Sequence, residues 1–466
     1  MIAFFCALLS GALFYYSQGQ ANAWALAWFA PVPLLWLAYS KTPAWKVLLA
    51  AFAGFCSGQL YLAQCYGGKL PLWVLAPTPL ASSVLFTAAV LFTRTAWHRL
   101  PPLGALAAFP AAWTASEFAI GHFSPHGSFG SLAYSQVSFP AAIQVASLFG
   151  LYAVTFLLCL FANSVALLAR GARFAAAVGA SACATAFAFG LARLFLAQGP
   201  TVPVAALANP DSWRSENRDG TPTSAAAAAA GYASASKELA SRGVRIVVIP
   251  EGAISLQPQH EKAILAPLAA VSSTEGILII IGTFEPAPPR NRAFAFSPDG
   301  LVHIYSKRHL LRPFETGAPG EEPGIIGSGY GMAICKDLDF PRSVRADTRA
   351  GVRLLLVPAN DFGTDGWIHA RMAVMRGIEN GCAVLRSAFN GLETASDAEG
   401  RLLASASTDH AGMTTTVAEL PLGPGLTLYN RIGDTFPWSS VAATLFLLLI
   451  MKGNRRIIPG PSDSIA

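Results

Sequence analysis

The sequence predicts a multi-span α-helical membrane domain joined to an α/β layered domain. Residues 1–196 and 436–451 are built from apolar blocks with few charges, whereas residues 197–435 have the composition of a soluble domain. Within that polar segment, short β-branched runs alternate with helical stretches, the pattern of a layered α/β fold. A third observation is chemical. Ile249-Pro250-Glu251, Tyr305-Ser306-Lys307 and Ile334-Cys335-Lys336 each close an apolar run. That sets a carboxylate, an ammonium and a thiol at the ends of separate strands, where side chains converge on one site.

Composition supports the membrane assignment. The 466 residues are 53% hydrophobic and only 12% charged, where soluble proteins carry roughly 25% charged residues. The net charge of +6 does not indicate nucleic acid, because the basic residues fall in short loops between apolar spans and form no patch. There are seven cysteines, of which Cys6, Cys56, Cys65, Cys159 and Cys183 lie in or beside apolar spans, which argues against a disulfide framework. No CxxC or Cys/His spacing suggests a metal.

Crossing the hydrocarbon core takes about 20 apolar residues. Spans are expected near 1–17, 22–40, 46–66, 73–93, 103–121, 144–169, 174–196 and 436–451. The first lacks a basic start and a clear cleavage site, and more spans follow, so it is expected to be an anchor. Lys41 and Lys46 follow the second span, Arg94 and Arg99 the fourth, and Arg170 and Arg173 the sixth. Lys452, Arg455 and Arg456 follow the last. With eight spans these all lie on one side, so both termini are expected in the cytoplasm. The expected organisation is a transmembrane domain over 1–196 with about seven helices, a catalytic domain over 197–435 facing the periplasm, a transmembrane helix over 436–451 and a cytoplasmic tail over 452–466. Glu117, near the end of an apolar span, is a functional candidate because an ionisable group there is expensive. The alternative is an interfacial carboxylate satisfied by water or His122. Residues 126–136 are outward-facing and semi-polar, and form either a lipid entry region or a loop.

In the polar segment, strands are expected at 203–208, 244–249, 276–284, 293–297, 302–306, 331–334, 352–358 and 383–389. Helices are expected at 223–241, 258–270, 341–350 and 368–380. The continuous apolar runs imply strands buried on both faces. Cys335 is the candidate nucleophile, with Lys307 and Lys336 as cations able to lower its pKa. Glu251 is placed to take the thiol proton, and Lys307 to stabilise an oxyanion. The alternative is a small buried cysteine beside a structural ion pair. Glu315 is a second candidate carboxylate. Cys382 is expected in the core, and Asn360 and Asn390 are strand-end residues with capping or turn roles.

At these residues the chain resembles the nitrilase, or carbon–nitrogen hydrolase, superfamily, whose members carry a Glu–Lys–Cys triad on an αββα sandwich. Glu251, Lys307 and Cys335 match in order and context, and ARMAVMRGIENGCAVLRSAFNG resembles the downstream helix and strand. Along nearly its full length the chain resembles the apolipoprotein N-acyltransferase family, the membrane member of that superfamily. SEFAIGHFSPHGSFGSLAYSQ and TLYNRIGDTFPW resemble that family's segments after the fifth helix and before the last. The resemblance implies an α/β nitrilase-like αββα sandwich at the periplasmic face of the bacterial inner membrane, with no cofactor. It also implies a phospholipid acyl donor, a thioester on Cys335 and a lipoprotein acceptor, acylated at the free α-amine of its lipid-modified N-terminal cysteine. Glu251 would be the general base, Lys307 the oxyanion stabiliser and Cys335 the nucleophile. Glu315 matches a further essential glutamate and Trp213 an essential tryptophan.

The chain departs from that family where Tyr-Glu usually follows the nucleophile. Here Lys336-Asp337 does, so Asp337 keeps the charge with a shorter reach. Ile249 replaces a usual Trp before Pro250, and Arg312 precedes Pro313-Phe314. Two alternatives therefore stay open. One is a membrane-tethered nitrilase-type amidase, or an acyltransferase with another amine acceptor. The other is a non-catalytic membrane binding protein on a degenerate fold.

Overall fold

The computed structural model describes residues 1–196, 198–212, 221–327 and 329–453. The chain forms two compact units, Met1–Ala192 with Asp434–Ala466 and Arg193–Gly433.

In the first unit, six helices among the described residues are long and apolar enough to cross a membrane: Ala44–Tyr66, Leu72–Arg99, Pro102–Phe123, Leu151–Leu168, Arg173–Leu194 and Thr435–Gly453. The first expected span is a shorter helix, Ile2–Ser17. The second is not one helix. It is a 3-10 turn, Trp24–Trp28, followed by Val32–Ala38, because Pro31 and Pro33 lack the amide hydrogens that a continuous helix needs. The expected span over 144–169 breaks at Gly150, whose φ is 78°, leaving Ala146–Phe149 apart from Leu151–Leu168. The interior holds an aromatic stack. Phe55 lies parallel to Phe86 at 4.3 Å between ring centres, and Trp113 meets Phe86 edge-on at 5.1 Å. Phe4, Phe5, Leu445 and Phe446 face outward, as lipid-facing side chains do.

The second unit is an αββα sandwich. Its strands are β1 (Thr201–Ala208), β2 (Ile246–Ser255), β3 (Leu278–Pro286), β4 (Pro289–Ser297), β5 (Gly300–Ser306), β6 (Tyr330–Met332), β7 (Leu354–Asn360), β8 (Ala383–Phe389), β9 (Leu392–Ser396), β10 (Leu402–Ser407) and β11 (Thr414–Pro421). One sheet has the order β11-β1-β2-β3-β4-β5 and the other β10-β9-β8-β7-β6. The central pairs β1–β2, β2–β3, β6–β7 and β7–β8 are parallel.

Side-chain alternation explains the continuous apolar runs. Ile246, Val248 and Ile280 point between the sheets onto Leu354, Leu356 and Leu385. Val247, Ile249 and Ile281 point outward under the helices Pro222–Ser241 and Glu261–Glu275. The second sheet turns Leu355, Val357 and Val384 outward in the same way, against Leu338, Val344 and Ala373. Both faces of each sheet are thus apolar, as period-two geometry requires of a buried strand. The Ala-rich helix begins where expected, with Pro222 in its first turn and the Thr221 hydroxyl accepting the Ser224 amide at 3.2 Å.

The sandwich buries a carboxyl that hydroxyl groups hold. Glu393 on β9 is fully buried and accepts the Thr416 hydroxyl at 2.7 Å. Burial pushes its pKa up to about 8. The folded chain therefore holds a proton that the unfolded chain releases near the ordinary glutamate value, and stability falls as pH rises from there through about 8. Glu393→Gln is expected to flatten this slope. Thermal melts in detergent at pH 5, 7 and 9 should show the variant gaining on the native protein with rising pH, by up to roughly 4 kcal/mol. Parallel curves would show that the carboxyl ionises freely.

Candidate active site

Each triad residue is placed by a local break in its strand. The sequence places Glu251 after the end of β2, but the strand continues to Ser255. Its pairing with β3 shifts between Ile249 and Ile254. Glu251 sits in that bulge, and bulges re-aim side chains. The neighbouring position on β3 has to be Gly282, because a Cβ there would strike the Pro250 carbonyl and the Glu251 Cα. Lys307 follows β5 directly, its amide donating to Asn291 O at 2.9 Å. Cys335 opens a 3-10 turn, Cys335–Asp339, with φ at +43°. Non-glycine residues held in this region cost energy and cluster at functional sites.

Asp337 joins two of these segments. Its carboxylate accepts the Tyr305 hydroxyl at 2.7 Å, the Ile334 amide at 3.0 Å, the Arg308 amide at 3.1 Å and the His309 amide at 2.8 Å. It therefore ties the cysteine turn to the lysine loop, the part its position in the sequence left undefined.

The Lys307 ammonium donates to Glu251 Oε1 at 2.7 Å and to both oxygens of Glu315 at 3.0 Å. Asn291 completes the cage, its amide group donating to Glu251 at 2.6 Å and to Glu315 at 2.7 Å. The Leu311 amide adds a 2.5 Å bond to Glu315. Sequence reasoning missed Asn291. The only signal was one amide side chain at the start of β4 in PRNRAFAFS, and nothing in spacing marks it out.

Two carboxylates share one cation, and their environments separate them. Burial raises the Glu251 pKa, against the pull of Lys307. Burial works on Glu315 too, but Lys307, the Leu311 amide and Asn291 outweigh it and hold that carboxyl below its ordinary value. Lys307 stays charged: burial works against the ammonium, yet Glu251, Cys335 and Glu315 raise its pKa. Burial, and then Glu251, raise the Cys335 thiol well above its ordinary value, with Lys307 opposing. The resting site therefore holds a thiol, a permanent Lys307–Glu315 pair and a Glu251 poised to accept a proton.

The structure thus brings Glu251, Lys307, Glu315, Cys335 and Asp337 together. Lys336 does not act as the thiol's cation. Its ammonium pairs with Asp339 at 3.1 Å and lies over the Phe340 ring at 5.6 Å. Glu117 belongs to the other unit, where it is buried and accepts Ser131 Oγ at 2.7 Å, Leu132 N at 3.0 Å and Thr155 Oγ1 at 2.6 Å. These bonds join its helix to the start of the 3-10 segment Leu132–Ser138 and to the helix Leu151–Leu168. Trp213 lies outside the described residues. Cys382 is in the core, its thiol pushed up to about 12 by burial. Asn390 donates to the Asn360 side chain at 3.0 Å. Asp361, Asp365 and His369 place possible ligand atoms within 4.8 Å of one another. Arg386 pairs with Asp361, and His369 with Asp365, so the cluster is an ion-pair network compensated from within.

Comparison with known proteins points to one family along the chain. The apolipoprotein N-acyltransferase N-terminal domain matches residues 10–164, and the carbon–nitrogen hydrolase domain matches residues 205–423. An apolipoprotein N-acyltransferase of Geobacter metallireducens is 28% identical, over 94% of this chain and 92% of its own. One of Chromobacterium violaceum is 24% identical, over 94% of this chain and 93% of its own. Among solved structures, an amidase from Nesterenkonia sp. superposes on 49% of this chain and 93% of its own, with 19% identity and a TM-score of 0.40. The six membrane-capable helices and the bacterial relatives mark a bacterial membrane protein. With one domain match in each unit and relatives aligned from end to end, the chain belongs to the apolipoprotein N-acyltransferase family, enzymes of the carbon–nitrogen hydrolase type.

Proposed function

We propose that the protein transfers an acyl chain from a phospholipid, through a thioester on Cys335, to the α-amine of the N-terminal diacylglyceryl-cysteine of lipoproteins. The observation that carries this reading is the Lys307 cage, which separates a proton-accepting Glu251 from a permanently charged Glu315 next to a thiol. As the sulfur attacks the donor ester carbonyl, its proton passes to Glu251. The Lys307 ammonium stabilises the oxyanion. Collapse breaks the ester C–O bond, and the lysophospholipid alkoxide leaves with the proton from Glu251. The acceptor amine then attacks the thioester, gives its proton to Glu251 and expels the sulfur, which regains that proton.

The charge pattern of the sequence supports a catalytic unit on the periplasmic side. Lys41, Lys46, Arg94, Arg99, Arg170, Arg173 and Lys452 fall near the ends of alternate apolar spans along the sequence, the ends that the positive-inside rule gives to the cytoplasm. Tethering the site to the membrane that holds both lipid substrates raises their effective concentration. A half-buried cysteine beside buried charges also limits hydrolysis of the thioester. The amidase alternative is not favoured, because Lys336, the departure that motivated it, is paired with Asp339.

The test is acyl transfer by the purified full-length protein from phosphatidylethanolamine to a diacylglyceryl-cysteine peptide, followed by mass spectrometry. Acylation of that peptide but not of glycinamide is expected. Equal acylation of both, or release of free fatty acid alone, would remove the lipoprotein acceptor from the account.

A further inference from the structure

A second set of buried charges bears on the nucleophile. The Cys335 thiol donates to the Asn360 carbonyl at 3.6 Å. Asn360 ends β7, and the next amide, Asp361 N, donates to Phe389 O at 2.9 Å, so the chain stays laced to β8 beyond the strand. The Asp361 carboxylate pairs with the Arg386 guanidinium, whose other arm donates to Leu392 O at 2.8 Å. Arg386 is 1% exposed and Asp361 6%. The second Asp361 oxygen has no hydrogen-bond partner among the described residues. It sits against Gly391, where a Cβ would collide with it. Asp365 is held by the Phe362 amide at 2.8 Å and paired with His369 at 3.1 Å.

A buried ion pair is a poor source of stability compared with apolar packing of the same volume. One placed a single residue from the carbonyl that meets a nucleophile has another use. We propose that the Asp361–Arg386 pair is the positioning element of Cys335: it fixes the Asn360 carbonyl against the thiol and balances the charge that the sulfur feels. The two members act on the sulfur in opposite senses, Asp361 raising the thiol pKa and Arg386 lowering it, alongside burial, Glu251 and Lys307. Neither residue touches substrate in this account. Both work through Asn360 and Cys335, and the inference rests on Cys335 being the nucleophile.

The opposed signs give a test that a merely structural pair would fail. Full-length protein in detergent is treated with iodoacetamide across pH 6 to 10, and labelling of the Cys335 peptide is read by mass spectrometry. Asp361→Asn leaves an uncompensated cation and should move the half-labelling pH down by roughly one unit. Arg386→Met leaves the carboxylate and should move it up. Arg386→Lys keeps the charge and should restore the native profile. Shifts in the same direction, no shift, or an Arg386→Lys profile like that of Arg386→Met would overturn the proposal. Opposed shifts in a protein that forms no acyl adduct would uphold the positioning role and count against the acyl-transfer reading alone.

Discussion

Glu251→Gln is expected to slow acyl-enzyme formation by about 10²- to 10⁴-fold, the usual contribution of a positioned general base, while leaving the fold in place. The amide still accepts a hydrogen bond from Lys307 Nζ, now 2.7 Å from Glu251 Oε1, so the cage keeps its shape. What is lost is the acceptor of the thiol proton. That loss matters because the thiol is held well above its ordinary pKa by burial and by Glu251, so little free thiolate is available without the base. The pH profile separates this from general damage. In the native enzyme the acid limb should lie above the ordinary glutamate range, since burial raises Glu251, and activity should fall as pH drops through that value. In Glu251→Gln the acid limb should disappear along with most of the rate. Single-turnover rates between pH 4 and 8 would show both. A variant with native rates would remove Glu251 from the mechanism.

Lys307→Met should harm stability as well as chemistry. The ammonium is the only cation that contacts Glu251 and Glu315 in the described cage. Lys307 and Glu251 are 4% and 7% exposed. Removing it leaves two carboxylates side by side in a poorly solvated site, and stripping one partner from a buried pair costs about 3–5 kcal/mol. Loss of the oxyanion contact should lower the rate by a further 10²- to 10³-fold or so. The melting temperature in detergent should drop, and Lys307→Met with Glu251→Gln should recover part of the loss, because the double variant has only one carboxylate to bury. An unchanged melting temperature in Lys307→Met would show that water reaches the cage and that the pairing is weak.

The sequence carried the frame of this site better than its detail. Glu251, Lys307 and Cys335 were legible because β-branched runs such as VRIVVI mark strands buried on both faces, and functional groups collect where such strands end. The bulge that aims Glu251 was not legible, because it depends on the register between β2 and β3 and on the close approach of Gly282. Asn291 and the hub role of Asp337 depend on which strands become neighbours, which no local pattern states. The strands β9, β10 and β11 went unread. LETAS and LLASAS are short and rich in Ser and Ala, and β10 lies half exposed at a sheet edge, so the apolar signal is absent. In the membrane unit, hydropathy found the apolar stretches but overlooked Pro31, Pro33 and Gly150, which break two of them. Glu117 stood out by its cost alone, and its partners, Ser131, Leu132 and Thr155 of another helix, come together only in the fold.

The central claim is a covalent one, that Cys335 carries the acyl chain. It is tested most directly by the intact mass of the full-length protein after incubation with phosphatidylethanolamine and no acceptor. The expected result is a single added acyl chain, mapped to the Cys335 peptide, removed by neutral hydroxylamine and absent from Cys335→Ser. No adduct on the native protein, or one that survives in Cys335→Ser, would contradict the account.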